Sequence, residues 1–325
     1  PRTAATTYEM SRIMRAACHA VGAPEDLFQC IERPSIPMTQ YLMESCDLTL
    51  ATGGKPMVQA AYSSGKPAYG VGAGNSTIVV DETADLNEAA KNIMISKISD
   101  FGSGCSADGN IVIQKSIYRN MVSELKANNG YLCNSAEKEL LSRVMWDDKE
   151  NRTFSTIACK PQQLALVAGF EIPEHIRFLM VENNGQIGKE HKFSKEKLTT
   201  LMALYYFEEF PDALNIIQKI YEVGGKGHSC GIYSTSDKNI DALARVAPVS
   251  RMMVRQPQSK SNAGSWTNGM PMTSSLGCGI WGGNITNENV TMKHMMNYTW
   301  VSKPIQEDRP SERELFGEFF GQEVA

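Results

Sequence analysis

Leu48-Thr49-Leu50-Ala51-Thr52-Gly53-Gly54-Lys55-Pro56 runs a short apolar strand straight into two glycines and a proline. Proline costs nothing in the first turn of a helix, where an N–H has no intrahelical partner to lose. The segment therefore predicts a helix over 56–63, and Pro67 to Val71 follows as a second strand. Strand, helix and strand in so few residues mark a parallel sheet covered by helices. The same alternation spreads in both directions. Upstream, residues 7–21 predict an amphipathic helix with Ile13, Met14, Ala17 and Val21 on one side, then a strand at 27–31 and a helix at 38–46. Downstream, strands are expected at 78–80, 110–114, 177–182, 202–206, 231–234 and 251–254. Helices are expected at 86–99, 115–127, 134–145, 160–168, 211–223 and 239–247. The fold class is α/β.

Two glycine features stand out. Gly53-Gly54 after a strand is either a plain βα turn or a place where helix N–H groups face an anion. It is not a GxGxxG fingerprint. Gly70-Val71-Gly72-Ala73-Gly74-Asn75 puts glycine at alternate positions, which ordinary strand propensity disfavours. Such a run is either a bulge at a domain crossover or a point where a ligand or another backbone comes close.

The most reactive-looking residue is Cys105, in Phe101-Gly102-Ser103-Gly104-Cys105-Ser106-Ala107 between a long helix and a strand. A cysteine on a glycine-lined bend is reachable, and its own N–H is free to hold an oxyanion. The other reading is a buried structural thiol.

Bulk properties narrow the field. The 325 residues are 42% hydrophobic and 21% charged, enough for two packed domains. A formal charge of −4 with no basic patch argues against nucleic acid. No apolar run reaches spanning length, so no membrane partner is expected. The eight cysteines (18, 30, 46, 105, 133, 159, 230, 278) form no CxxC, and the five histidines (19, 175, 191, 228, 294) form no HExxH. Reduced thiols in a cytoplasmic protein, with no metal site, are expected. The chain opens at Pro1-Arg2-Thr3 and enters a helix almost at once, which suggests a preceding portion.

An ordered series of segments carries a resemblance. Ala51-Thr52-Gly53-Gly54, Ala60-Ala61-Tyr62-Ser63-Ser64-Gly65-Lys66-Pro67 and Gly70-Val71-Gly72-Ala73-Gly74-Asn75 come first. The cysteine segment, Gly227-His228 and Leu276-Gly277-Cys278-Gly279-Ile280-Trp281-Gly282-Gly283-Asn284 follow. Together they resemble the CoA-acylating aldehyde dehydrogenases and the aldehyde half of bifunctional aldehyde-alcohol dehydrogenases, from residue 1 to about 305. The resemblance implies part of a Rossmann-type cofactor domain (1–73), an α/β catalytic domain with the nucleophilic cysteine (74–285), and a return segment with an interface strand and tail (286–325). It implies NAD or NADP as cofactor, CoA as co-substrate and a thioester on Cys105. Thr52, Gly53, Gly54, Gly72, Glu196 and Leu198 would line the cofactor, with Glu196 on the nicotinamide ribose. The hydrolytic enzymes' glutamate base aligns with Val71, thirty-four residues before Cys105. Valine cannot activate water, which favours a thiol acceptor.

His228 either polarises the reaction centre or is a loop histidine bound to backbone. Cys278 reads as part of a close-packed wall of the substrate channel. Arg255 and Lys260 either meet an anionic aldehyde tail or lie exposed on a surface loop. The texture, including Pro310 to Gly317, resembles acylating sulfoacetaldehyde dehydrogenases, with succinate semialdehyde the next candidate substrate. Tyr298-Thr299-Trp300-Val301-Ser302 resembles a strand that extends a neighbour's sheet, so a homodimer or larger homo-oligomer is implied. Two other readings stay open: an assembly component, and a cysteine acyltransferase without cofactor. Arg2 is one candidate for meeting a 2′-phosphate.

Overall fold

Alternating apolar residues on both faces of its strands make this sheet a layer buried from two sides. In this computed structural model, which describes residues 3–319, the chain begins with α1 (Ala4–Ala20) and α2 (Ile36–Ser45). Next, β1 (Thr49–Thr52) and β2 (Ala68–Val71) pair in parallel, joined by α3 (Lys55–Tyr62). Gly54 is the N-cap of α3 and Pro56 stands in its first turn, as the sequence predicts.

The main sheet follows. In chain order it comprises β3 (Thr77–Val80), α4 (Leu86–Ile98), β4 (Asn110–Gln114), α5 (Tyr118–Ala127), β5 (Gly130–Leu132), α6 (Ser135–Met145), α7 (Pro161–Ala168) and β6 (Phe178–Glu182). Then come β7 (Leu201–Phe207), α8 (Phe210–Val223), β8 (Gly227–Tyr233), α9 (Asp237–Val246), β9 (Val249–Val254) and the short α10 (Gln258–Ser261). The seven strands lie in the order β5-β6-β7-β4-β3-β8-β9, and every neighbouring pair is parallel. Val79, Val112, Val181 and Ala203 face one core with residues of α6, α7, α8 and α9. Ile78, Val80, Ile111, Met180 and Leu204 face the other with α4 and α5.

Three local expectations differ. Residues 27–31 form no strand; the Phe28 carbonyl accepts from the Arg15 guanidinium instead of from a neighbouring strand. β5 is an edge strand of three residues, too short to show alternation. The helix expected from 115 opens as a 3₁₀ turn and becomes α-helical at Tyr118.

Residues up to Thr291 form one compact unit, and those from Met292 form a second. The second unit contains α11 (Glu312–Phe316), capped by the Ser311 hydroxyl. Tyr298 to Ser302 is exposed and makes no strand pairing among the described residues.

Candidate active site

A parallel sheet sends all its entry loops to one edge. Gly72–Ser76 enters β3, Cys105–Gly109 enters β4, Glu196–Thr200 enters β7 and Gly224–Lys226 enters β8. Asn75 ties these loops together. Its amide nitrogen donates to the Ser194 carbonyl at 2.8 Å, and its Oδ1 accepts from Asn110 Nδ2 at 3.0 Å. Asn110 Oδ1 in turn accepts from the buried Lys197 ammonium at 2.7 Å.

Cys105 sits partly exposed on a turn at this edge. Just upstream Asp100 and Phe101 have φ of 48° and 51°, in the left-handed region that non-glycine residues rarely occupy. Gly74 backs directly onto the Cys105 backbone: a Cβ on Gly74 would stand 1.9 Å from the Cys105 carbonyl oxygen. This is the close backbone approach that the alternating glycines allow.

Glu196 accepts from the Gly74 N–H, and burial pushes its carboxyl up to about 8. Burial likewise pushes the Cys105 thiol up to about 11, with Glu196 and Cys278 adding to the rise. Two influences pull it down: the Cys105 backbone N–H and the Arg251 guanidinium. Leu198 follows with φ of 51°, and its carbonyl accepts from the Ala158 N–H at 2.9 Å.

His228 stands fully buried on β8. A hydrogen-bonded chain connects it to the Cys105 backbone. Ser76 Oγ donates to the Cys105 carbonyl at 3.4 Å, Ser76 Oγ and Ser229 Oγ lie 2.9 Å apart, and Ser229 Oγ lies 2.9 Å from His228 Nδ1. Because a carbonyl only accepts, each hydroxyl hydrogen points toward Cys105, and Nδ1 carries the imidazole proton. Nε2 is then a bare lone pair, buried without a partner among the described residues. Burial and the neighbouring Arg251 press its pKa down to about 3, so His228 is neutral at any ordinary pH.

Cys278 is fully buried. Its N–H donates to Asn284 Oδ1 at 3.0 Å, and the same oxygen accepts from the Gly72 N–H at 3.3 Å. Asn284 thereby fastens the glycine strand to the Gly277–Gly283 loop. Gly227, at φ 86°, brings its α-carbon so near that a Cβ would be 1.9 Å from the Cys278 carbonyl oxygen.

Comparison with known proteins places the chain in a family. The aldehyde dehydrogenase family model matches residues 1–132. Sulfoacetaldehyde dehydrogenase of Acholeplasma sp is 41% identical over 98% of this chain and 66% of its own length. Sulfoacetaldehyde dehydrogenase (acylating) of Bilophila wadsworthia is 39% identical over 98% of this chain and 69% of its own. The chain belongs to the acylating aldehyde dehydrogenases. A crystal structure of an acetylating aldehyde dehydrogenase from Geobacillus thermoglucosidasius superposes with a TM-score of 0.91 at 36% identity, covering 96% of this chain and 69% of that one. The chain thus spans about two thirds of the length of the family members it matches.

Members of this family use NAD(P) and CoA, and the residues present fit a dinucleotide. Gly54 stands at the N-cap of α3, whose first-turn N–H groups lack intrahelical acceptors, while the Gly53 N–H is taken by the Val71 carbonyl at 3.1 Å. Beside them an apolar groove of about 540 Å³ runs between α2 and α3, lined by Met43, Met57 and Ala60 among others. A second cleft of about 570 Å³ leads from Lys55 and Gln59 past Gly72 to Gly225 and Gly282. Thr52 Oγ1 pairs with Ser275 Oγ at 3.3 Å near this entrance. Val71 is 2% exposed.

The structure gathers Cys105, Glu196, Cys278 and the 72–76 segment in one place, with His228 one hydrogen-bond chain away. It does not bring Arg255 there. Arg255 follows β9, so it lies at the opposite edge of the sheet, about 13 Å along the strand from Arg251. There its N–H donates to the Ile232 carbonyl at 2.9 Å. Lys260 stands exposed on α10. Arg2 lies outside the described residues. Sequence reasoning missed Arg251, Asn75 and Asn284. The signal for Arg251 was present: a charged residue inside a strand of a buried parallel sheet is rare. Among the described residues, no three His, Cys, Asp or Glu side chains cluster as a metal site would require, and no helix is long and apolar enough to cross a membrane.

Proposed function

We propose that these residues convert a small anionic aldehyde, CoA and NAD(P)⁺ to an acyl-CoA through a thioester on Cys105. The observation that carries the reading is a partly buried Cys105 within electrostatic reach of Glu196 at the sheet's entry edge, with buried Val71 aligned where a water-activating base would be. When bound, NAD(P)⁺ supplies the hydride acceptor. The chain supplies the rest. The Gly53-Gly54 turn and the groove between α2 and α3 hold the dinucleotide. Cys105 Sγ attacks the aldehyde carbon, and its backbone N–H faces the oxygen that becomes negative. Neutral His228 braces the Cys105 carbonyl through Ser229 and Ser76, and the thiol proton leaves to solvent as the thiolate forms. Val71 leaves no group to activate water, so the acyl group waits on Cys105 for the CoA thiol. Sulfoacetaldehyde is the favoured substrate because it is named in the relatives at 41% and 39% identity. The eight free thiols fit a cytoplasmic setting. Exposed Tyr298, Trp300 and Val301 fit a strand that is completed by a second copy in a homo-oligomer.

The test is NAD(P)H absorbance with CoA and a panel of aldehydes including sulfoacetaldehyde and succinate semialdehyde. Reduction that requires CoA and vanishes in Cys105→Ala is expected. Reduction that proceeds without CoA, or that survives Cys105→Ala, would sink the reading.

A further inference from the structure

Cys105 needs help to ionise. It is largely buried, a carboxyl acts on it, and the obvious partner for a catalytic cysteine is disqualified. His228 cannot be that partner as an imidazolium, because it is buried, neutral and joined to Cys105 only through two serine hydroxyls and a backbone carbonyl. A thiolate in such a place calls for a positive charge that does not titrate away.

One side chain has that character. Arg251 lies on β9 directly opposite Ser229 of β8, the serine that starts the hydrogen-bond path to Cys105. It is 5% exposed. Its Nη1 and Nη2 both donate to the Gly277 carbonyl, next to Cys278. Its Nε is buried with no hydrogen-bond partner among the described residues. No carboxylate pairs with it among the described residues' ion pairs. A buried guanidinium with a spare donor and no counter-ion is costly unless an anion forms nearby.

We propose that Arg251 is the positioning residue whose fixed positive charge, anchored on the Gly277 carbonyl, favours the thiolate of Cys105. This goes with the charge pattern around the sulfur. The charged and titratable groups that face Cys105 are Glu196 from the loop before β7, Cys278 from the 276–284 loop and Arg251 from β9. The first two disfavour a thiolate, and Arg251 alone of the three favours it. The reciprocal effect is seen on Arg251, where Cys278 and Cys105 both strengthen the protonated form. Lys97 and Lys197 act on Glu196 and so touch Cys105 only indirectly. The proposal rests on Cys105 being the nucleophile, and its test does not depend on turnover.

The experiment measures the rate of iodoacetamide alkylation of the Cys105 peptide against pH, by mass spectrometry, on the folded chain. Wild type, Arg251→Gln and Arg251→Lys are compared, with melting curves as a check on folding. Removing the charge is expected to move the alkylation midpoint upward by about one pH unit, whereas lysine is expected to keep it within about half a unit. An Arg251→Gln protein that is folded and keeps the wild-type midpoint overturns the proposal. Should Arg251→Gln not fold, Arg251→Lys decides: a midpoint near wild type supports a charge effect, and a rise of one unit or more with the charge retained overturns it. CoA-dependent turnover is scored separately, so loss of that reading leaves the Arg251 result intact.

Discussion

Gly74 is pressed against Cys105 with no room for a side chain, its hypothetical Cβ falling 1.9 Å from the cysteine's carbonyl oxygen. The contact joins the loop entering β3 to the turn that carries Cys105, and the Gly74 N–H also holds Glu196. One glycine thus sets the spacing of three site segments. Gly74→Ala should therefore push the Cys105 turn away. We expect a loss of roughly 2–4 kcal/mol in stability by analogy with overpacked cores, and a fall in CoA-dependent activity of at least tenfold. Urea unfolding and steady-state assay check both. A variant with wild-type stability and rate would show that the contact is slack.

Asn284 holds the Gly72 and Cys278 N–H groups on one oxygen, at 3.3 and 3.0 Å. Asn284→Ala orphans two donors at once. The expected cost is about 1–3 kcal/mol, with Asn284→Asp retaining an acceptor and losing less. Thermal melting of the three proteins tests the order. Equal melting of the alanine variant and wild type would contradict it.

Glu196 brings a pH dependence whose sign follows from its raised pKa. The folded carboxyl holds its proton up to about 8, against an ordinary value of 4.5. Between those values the folded chain binds more protons than the unfolded one, so stability falls as pH rises through the window. Glu196→Gln removes that fall. The variant should gain on wild type on the order of a few kcal/mol between about pH 5 and 8, and the gap should then stay level. Urea unfolding at the two pH values reads it. A constant gap would argue against a raised carboxyl.

His228 gives the opposite slope. Its folded pKa is pressed to about 3 from an ordinary 6.5. The stability it contributes is fully present above the unfolded value and is lost as pH falls through the window between the two. The His228 ring protons should show no titration by NMR above about pH 5, and His228→Gln should lose less stability on acidification than wild type. A ring titrating near its ordinary pKa would show it charged, and would return it as a candidate partner for the thiolate.

The amino-acid sequence by itself determined the layers. Unbroken apolar runs at Ile78-Val79-Val80 and Ile111-Val112-Ile113 dictate strands buried on both faces, and Pro56 and the Gly53-Gly54 turn dictate where α3 starts. The bend at Cys105 and the close approach at Gly74 were also legible, because glycine marks backbone positions that no other residue tolerates. Local pattern cannot show which distant segments share an edge. The parallel register alone brings Gly72, Cys105, Glu196 and Gly224 to one end of the sheet and sends Arg255 to the other. It was tertiary structure, too, that made His228 neutral and brought the charge of Arg251 to bear on Cys105. Ionisation depends on burial and on neighbours contributed by β8, β9 and the loop at Gly277, none of which adjoins Cys105 in the chain.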